Sequence, residues 1–187
     1  MKKIYLTLTA IIMASCLTAQ VRYVEKVFTD VDVTSDVTYG TNITVLTGSA
    51  AAQALKMDIY EPKGDTATMR PLIIFCPTGS YLPRFVNQQP VGDKTDSATV
   101  EFAKEFAKRG YVVANIAYRQ GWRILSEDQD VRTGTILNAV YRSTHDANTA
   151  ARFMSKTSAL DNNPYKIDST KVAIGGNGTG GYVAINT

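Results

Sequence analysis

Residues 171–181 read Lys171-Val172-Ala173-Ile174-Gly175-Gly176-Asn177-Gly178-Thr179-Gly180-Gly181. A short run of strand-forming residues enters a cluster of glycines, and Tyr182 to Ile185 then begin a pattern suited to a helix. A buried strand that turns tightly into a helix is where α/β proteins place their chemistry, because backbone amides and the helix N-terminus converge on one spot. Glycine permits the sharp turn and the close approach of two backbones that such a junction needs.

Working upstream, the same alternation recurs. Ile136 to Met154 is predicted as an amphipathic helix, and Tyr111-Val112-Val113-Ala114-Asn115-Ile116-Ala117 as a buried strand. Val100 to Lys108 is predicted as a helix with Val100, Phe102, Ala103, Phe106 and Ala107 on one side and Gly110 at the C′ position. Leu72-Ile73-Ile74-Phe75-Cys76, bounded by Pro77 and Gly79, is a continuous apolar run expected of a strand covered on both faces, and Lys171–Ile174 is the third of this kind. Earlier residues change character. Leu55-Lys56-Met57-Asp58-Ile59-Tyr60 alternates apolar and polar, and Glu61-Pro62-Lys63-Gly64-Asp65 closes it with turn chemistry. Val37-Thr38-Tyr39 and Asn42 to Leu46 are strand-like, punctuated by Gly40. Strand, helix, strand, helix, strand, helix after such a meander predicts an α/β fold: a mostly parallel sheet with an N-terminal antiparallel meander.

The glycine cluster fits two motifs. Gly176-x-Gly178-x-x-Gly181 matches the dinucleotide fingerprint, whose acidic ribose-binding partner, about 20 positions on, would fall beyond Thr187. Gly176-Asn177-Gly178-Thr179-Gly180 matches the outer glycines of the nucleophile elbow G-x-S-x-G, with Gly178 at the serine position.

Five stretches, in order, give the second reading more weight. They are Leu55-Lys56-Met57-Asp58-Ile59-Tyr60-Glu61-Pro62; Arg70-Pro71-Leu72-Ile73-Ile74-Phe75; Arg109-Gly110-Tyr111-Val112-Val113-Ala114; Ala117-Tyr118-Arg119; and Ile167-Asp168 through Gly181. Together they resemble the secreted bacterial α/β-hydrolase superfamily of carboxylesterases, lipases and feruloyl-type esterases. The resemblance spans residues 37–187 and corresponds to the N-terminal part of that fold. It implies a small ester or an acylated glycan as ligand and no cofactor. It also implies an oxyanion hole, the amide cradle for the ester oxygen, to which Thr78, Gly79 and Thr179 correspond.

Two departures stand out. Where these esterases carry His-Gly-Gly, this chain has Pro77-Thr78-Gly79, and proline has no N–H to donate. At the nucleophile position stands Gly178, and acyl transfer requires an oxygen or sulfur nucleophile. Thr179 is the nearest hydroxyl, and its side chain is expected to point away from the elbow. The acid and histidine that follow the nucleophile in this superfamily are not found among the residues after Gly178. His145 and Asp146, upstream, read as a solvent-facing or helix-capping pair. Asp58 and Asp168 read as scaffolding, and Tyr118, Arg119, Trp122 and Arg123 as packing for a loop that exposes its charges. The expected outcome is a hydrolase-like chain without a working nucleophile, binding an ester, an acylated glycan or a protein partner. The sheet is expected to be incomplete after the elbow helix, as in a fragment, with one apolar edge exposed. The alternatives are an active esterase in a longer form and a dinucleotide-binding domain.

Composition sets the remaining bounds. The chain has 187 residues, 44% of them hydrophobic and 20% charged, as soluble globular chains do. Lys2 and Lys3, an apolar run from Ile4 to Met13 and small residues before Gln20 form a secretory leader over residues 1–20, too short to span a bilayer. The hydrolase-like domain then covers 21–187. Met13-Ala14-Ser15-Cys16 also resembles a lipobox, which would place a lipid anchor on Cys16; Ala19-Gln20 is the competing cleavage point. The formal charge of +3 falls close to neutral without the leader, which argues against nucleic acid as partner. Without the leader Cys76 is the sole cysteine, so neither an internal disulfide nor a Cys/His zinc site can form. Asn42-Ile43-Thr44 and Asn177-Gly178-Thr179 match the glycosylation acceptor pattern, a weak reading behind a bacterial-type leader.

Overall fold

Side chains of successive strand residues point to opposite faces, so the apolar run 72–76 must be covered twice. In the computed structural model, which describes residues 22–44, 51–82 and 92–187, it is. Leu72, Ile74 and Cys76 join one buried cluster, while Ile73 and Phe75 join another on the opposite face. The elements in chain order are β1 (Val31–Ile43), β2 (Ala52–Pro62), β3 (Arg70–Cys76), α1 (Ser97–Ala107), β4 (Val112–Ile116), α2 (Gln129–Leu160), β5 (Ile167–Gly176) and α3 (Thr179–Ile185).

The sheet runs β1-β2-β4-β3-β5. β1 pairs with β2 and β2 with β4 antiparallel, whereas β3 is parallel to both β4 and β5. This is the expected class: a meander at one side, a parallel block at the other. Ala103 and Ala107 of α1 cover the face carrying Tyr60, Ile73, Phe75 and Val113. Ala139, Ala147, Ala150 and Met154 of α2, with Val183 of α3, cover the face carrying Met57, Ile59, Leu72, Ile74, Val112 and Ile116. Small residues on α2 let its axis approach the sheet closely. Among the described residues no helix is long and apolar enough to cross a membrane.

Several expectations need correction. Gly40 does not interrupt the first strand. β1 runs through it, and the irregularity between Thr38 and Gly40 is a bulge that leaves Tyr39 opposite no partner. Tyr39 is buried there, with its hydroxyl donating to Ala117 O at 2.7 Å. Gly110 stands beyond the Lys108 cap of α1, at φ +104°. α2 is 32 residues long rather than covering Ile136 to Met154. Its first turn holds no fully buried residue and is fixed by Asp128, whose carboxylate accepts from Asp130 N at 2.8 Å. β5 is not buried over Lys171–Ala173, because β3 pairs with it on one side and, among the described residues, no strand pairs with the other. The exposed edge is therefore β5 itself. The leader, Cys16 and Leu46 lie outside the described residues.

Asp146 also departs from its expected role. It faces into the molecule from the middle of α2, fully buried, and accepts from Arg119 Nε at 2.9 Å, Arg119 Nη2 at 2.7 Å and the Arg119 amide at 2.9 Å. Neighbouring residues on a helix point about 100° apart, so His145 lies outside, its ring tilted 55° against that of Tyr141 with centroids 4.3 Å apart. Arg119 is buried as well, so the segment after β4 does not expose this charge; Arg123 does remain exposed. The bidentate pair fastens the segment after β4 to α2. We expect Asp146→Ala to cost about 3–5 kcal/mol, since it leaves a guanidinium buried without its partner. The double change Arg119→Met/Asp146→Leu is expected to recover much of that loss, as measured by urea unfolding.

Candidate active site

The glycine cluster closes on the end of β3. β5 ends at Gly176, and α3 begins at Thr179 with Gly178 as its N-cap at φ +53°, ψ −125°. This backbone is costly for residues with a Cβ, about 1–3 kcal/mol, and free of that cost for glycine. The turn packs directly on the main chain of β3. A Cβ on Gly180 would lie 2.6 Å from the Cys76 carbonyl carbon and 2.6 Å from Pro77 O, and one on Gly176 would lie 2.6 Å from Cys76 O. Two glycines are thus required by backbone-to-backbone contact. Asn177 N donates to Cys76 O at 3.3 Å across this junction.

Residues 77–82 form the facing loop, and hydrogen bonds tie it to the elbow. The Thr78 amide donates to Asn177 Oδ1 at 2.9 Å, and the Ser80 amide to Thr179 Oγ1 at 3.0 Å. Tyr118 donates its hydroxyl to Pro77 O at 2.6 Å, and Tyr81 to Thr179 O at 3.4 Å. Tyr81 O accepts in turn from the amides of Gly121 and Trp122 at 2.9 and 3.0 Å. Burial raises the Tyr118 and Tyr81 phenols above their ordinary range, so both act as hydroxyl donors at neutral pH. Ser80 and Tyr81 hold left-handed backbone, φ +54° and +58°.

The structure therefore brings the predicted residues Thr78, Gly79, Gly178 and Thr179 to one place. It also changes their parts. The Thr78 amide is engaged by Asn177, and Gly79 is buried against Gln120 and Gly92. The Thr179 hydroxyl turns toward the facing loop, where it accepts the Ser80 amide. Thr78 is half-buried, and its side chain stands against the bare elbow: a Cβ on Gly178 would overlap Thr78 Oγ1 and lie 3.0 Å from Thr78 Cβ. Neither the Asn177 clamp nor the Thr78 position was read from the sequence.

The other candidates lie elsewhere. Asp58 is buried on β2, accepting from Lys94 Nζ at 2.7 Å and the Asp36 amide at 2.8 Å. Asp168 closes a turn through Thr170, with Lys171 at 3.0 Å, and these partners hold its carboxyl down at about 2. Trp122 packs half-buried against the α2-side core. Cys76 is fully buried at the foot of the elbow, and burial pushes its thiol up to about 12. Among the described residues no three His, Cys, Asp or Glu side chains are grouped so as to hold a metal ion.

A family model described as BD-FAE matches residues 57–186. The chain belongs to this family of α/β-hydrolase-type esterases. No curated protein matches it. Among solved structures it is similar to esterase B from Lactobacillus rhamnosis inhibited by a tributyrin phosphonate, at 15% identity and TM-score 0.53, covering 97% of this chain and 48% of that one. It is also similar to a truncated carbohydrate esterase from gut microbiota, at 19% identity and TM-score 0.50, covering 87% of this chain and 44% of that one. An esterase from Rhizomucor miehei is 17% identical at TM-score 0.50, covering 87% of this chain and 39% of that one. These likenesses show the fold, and this chain spans less than half the length of each. Membership in this family favours the hydrolase reading of the glycine cluster over the dinucleotide one.

The contacts at the elbow give a direct contrast between two glycines one turn apart. A Cβ on Gly175 would meet nothing within 4 Å. We expect Gly175→Ala to change stability by no more than about 0.5 kcal/mol, and Gly180→Ala to cost about 3 kcal/mol or prevent folding, because only backbone atoms can yield. Thermal or urea unfolding of the two variants checks this.

Proposed function

We propose that this chain is an exported, non-hydrolysing member of its esterase family that binds a carbonyl ester at the elbow. The observation that carries the reading is Gly178: the backbone there has the strained geometry of a nucleophile-bearing turn, φ +53° and ψ −125°, and no atom to attack with. Ester cleavage through an acyl-enzyme needs an oxygen or sulfur at that point. Thr179 is a poor substitute, since its hydroxyl accepts the Ser80 amide.

Binding does not need the missing atom. The resemblance assigns the carbonyl oxygen to the amides of Gly79 and Thr179, and two such donors suit a polarised carbonyl oxygen. Arrangement before the ligand arrives is what makes such donors effective, and the cross-links from Asn177, Thr179, Tyr81 and Tyr118 supply it. Small esters and acylated glycans present this carbonyl. The leader over residues 1–20 would bring the protein to them outside the cytoplasm.

The second reading, an esterase whose acid and histidine come from further sequence, draws support from the chain spanning less than half of its structural neighbours. The readings part on one assay. We expect no release of p-nitrophenol from p-nitrophenyl acetate or butyrate above buffer, and no adduct with a fluorophosphonate probe. We expect methyl ferulate or an acetylated xylo-oligosaccharide to shift the amide resonances of Gly79 and Thr179. Turnover or a covalent adduct would sink the non-hydrolysing reading, and unmoved resonances would sink the ester-binding one. Mass spectrometry of the protein exported from a bacterial host is expected to give an N-terminus at or beside Gln20; a lipidated Cys16 is the competing result.

A further inference from the structure

Loss of a serine is usually pictured as a deletion that leaves its surroundings ready to accept the residue back. The surroundings here are not ready. The space that a side chain at 178 would enter is held by Thr78, whose Oγ1 overlaps the Cβ position and whose own Cβ lies 3.0 Å from it. Rotation about χ1 swings Oγ1 aside but leaves Thr78 Cβ where it is, because that atom is fixed by the backbone. The backbone is itself fixed. The Thr78 amide is bonded to Asn177 Oδ1, Pro77 O accepts from the buried Tyr118 hydroxyl, and Asn177 N is bonded to Cys76 O. The two residues are thus held face to face from both sides, and relief by moving either segment would break the clamp that shapes the site.

We propose that Thr78 and Gly178 are mutually dependent, so that a side chain at 178 is strained while residue 78 carries one. Thr78 is a positioning residue by this account: it decides what can stand at 178. The inference rests on the reading of residues 176–180 as the elbow and needs no assumption about the ligand.

A thiol reports the effect without any ester chemistry. The full chain is made with Cys16→Ser, and Gly178→Cys is added with Thr78 kept or with Thr78→Gly. The native Cys76 stays silent toward Ellman's reagent at pH 8, being buried with its thiol raised to about 12. Strain at φ +53° burdens both variants alike and cancels in the comparison. We expect Gly178→Cys alone to lower Tm by about 5 °C or more relative to the Thr78→Gly/Gly178→Cys pair, the size of an overpacked contact in a chain of this length. We also expect its thiol to react at least tenfold more slowly than in the pair. Failure of the single variant to fold, with the pair folding, counts the same way. Equal Tm and equal thiol reactivity with and without Thr78 would overturn the proposal, as would a pair that also fails to fold. Ester turnover by the unaltered chain would defeat the non-hydrolysing reading while leaving this result standing.

Discussion

The arrangement depends on the main chain of the β5–α3 turn lying against the main chain at the end of β3. Glycines at 176 and 180 are the condition for that contact, since each faces a carbonyl group and not a side chain that could turn away. From this contact the rest follows in sequence. β3 and β5 stay paired up to Cys76 and Gly176, α3 departs at a fixed angle, and Gly178 is thrown into left-handed backbone at the crest. The loop after β3 must then pass directly over the crest, which is why Thr78 and Gly178 meet.

The buried ion pair between Arg119 and Asp146 performs a related task on the other side of the loop. It fixes the segment after β4, whose Gly121 and Trp122 amides hold Tyr81. The loop is thus braced from β4 through a charged pair and from the elbow through neutral hydrogen bonds. A charged pair in the interior contributes little net stability against apolar packing of equal volume. Its value here lies in direction, since a bidentate guanidinium–carboxylate contact accepts one geometry.

Much of this was legible in the amino-acid order. Apolar runs at 72–76 and 111–117 marked strands covered on both faces, and Gly176, Gly178 and Gly180 marked the tight turn, because period and glycine spacing are local properties. What escaped was nonlocal. Nothing near Asp146 in sequence reveals that Arg119 faces it, and the His145 neighbour invited a pairing that helix geometry forbids. Nor did Asn177 announce that its side chain would take the Thr78 amide 99 residues away. β5 was expected to be buried from its Val-Ala-Ile run; its exposure depends on which strands flank it, and hydropathy cannot report that. Gly178 itself was legible as a departure, while the reason a side chain does not fit there was visible only in three dimensions.

Ser80 and Tyr81 sit in a backbone region that residues with a Cβ seldom occupy, at a cost of about 1 kcal/mol or more each. That cost is met when the chain folds, through the bond the Ser80 amide gives to Thr179 Oγ1 and those Tyr81 O accepts from the Gly121 and Trp122 amides. Among the described residues, those of 77–82 therefore need no further ordering by a molecule arriving there. Association on these six residues would meet a surface already shaped, and they would add no ordering contribution to its heat-capacity change.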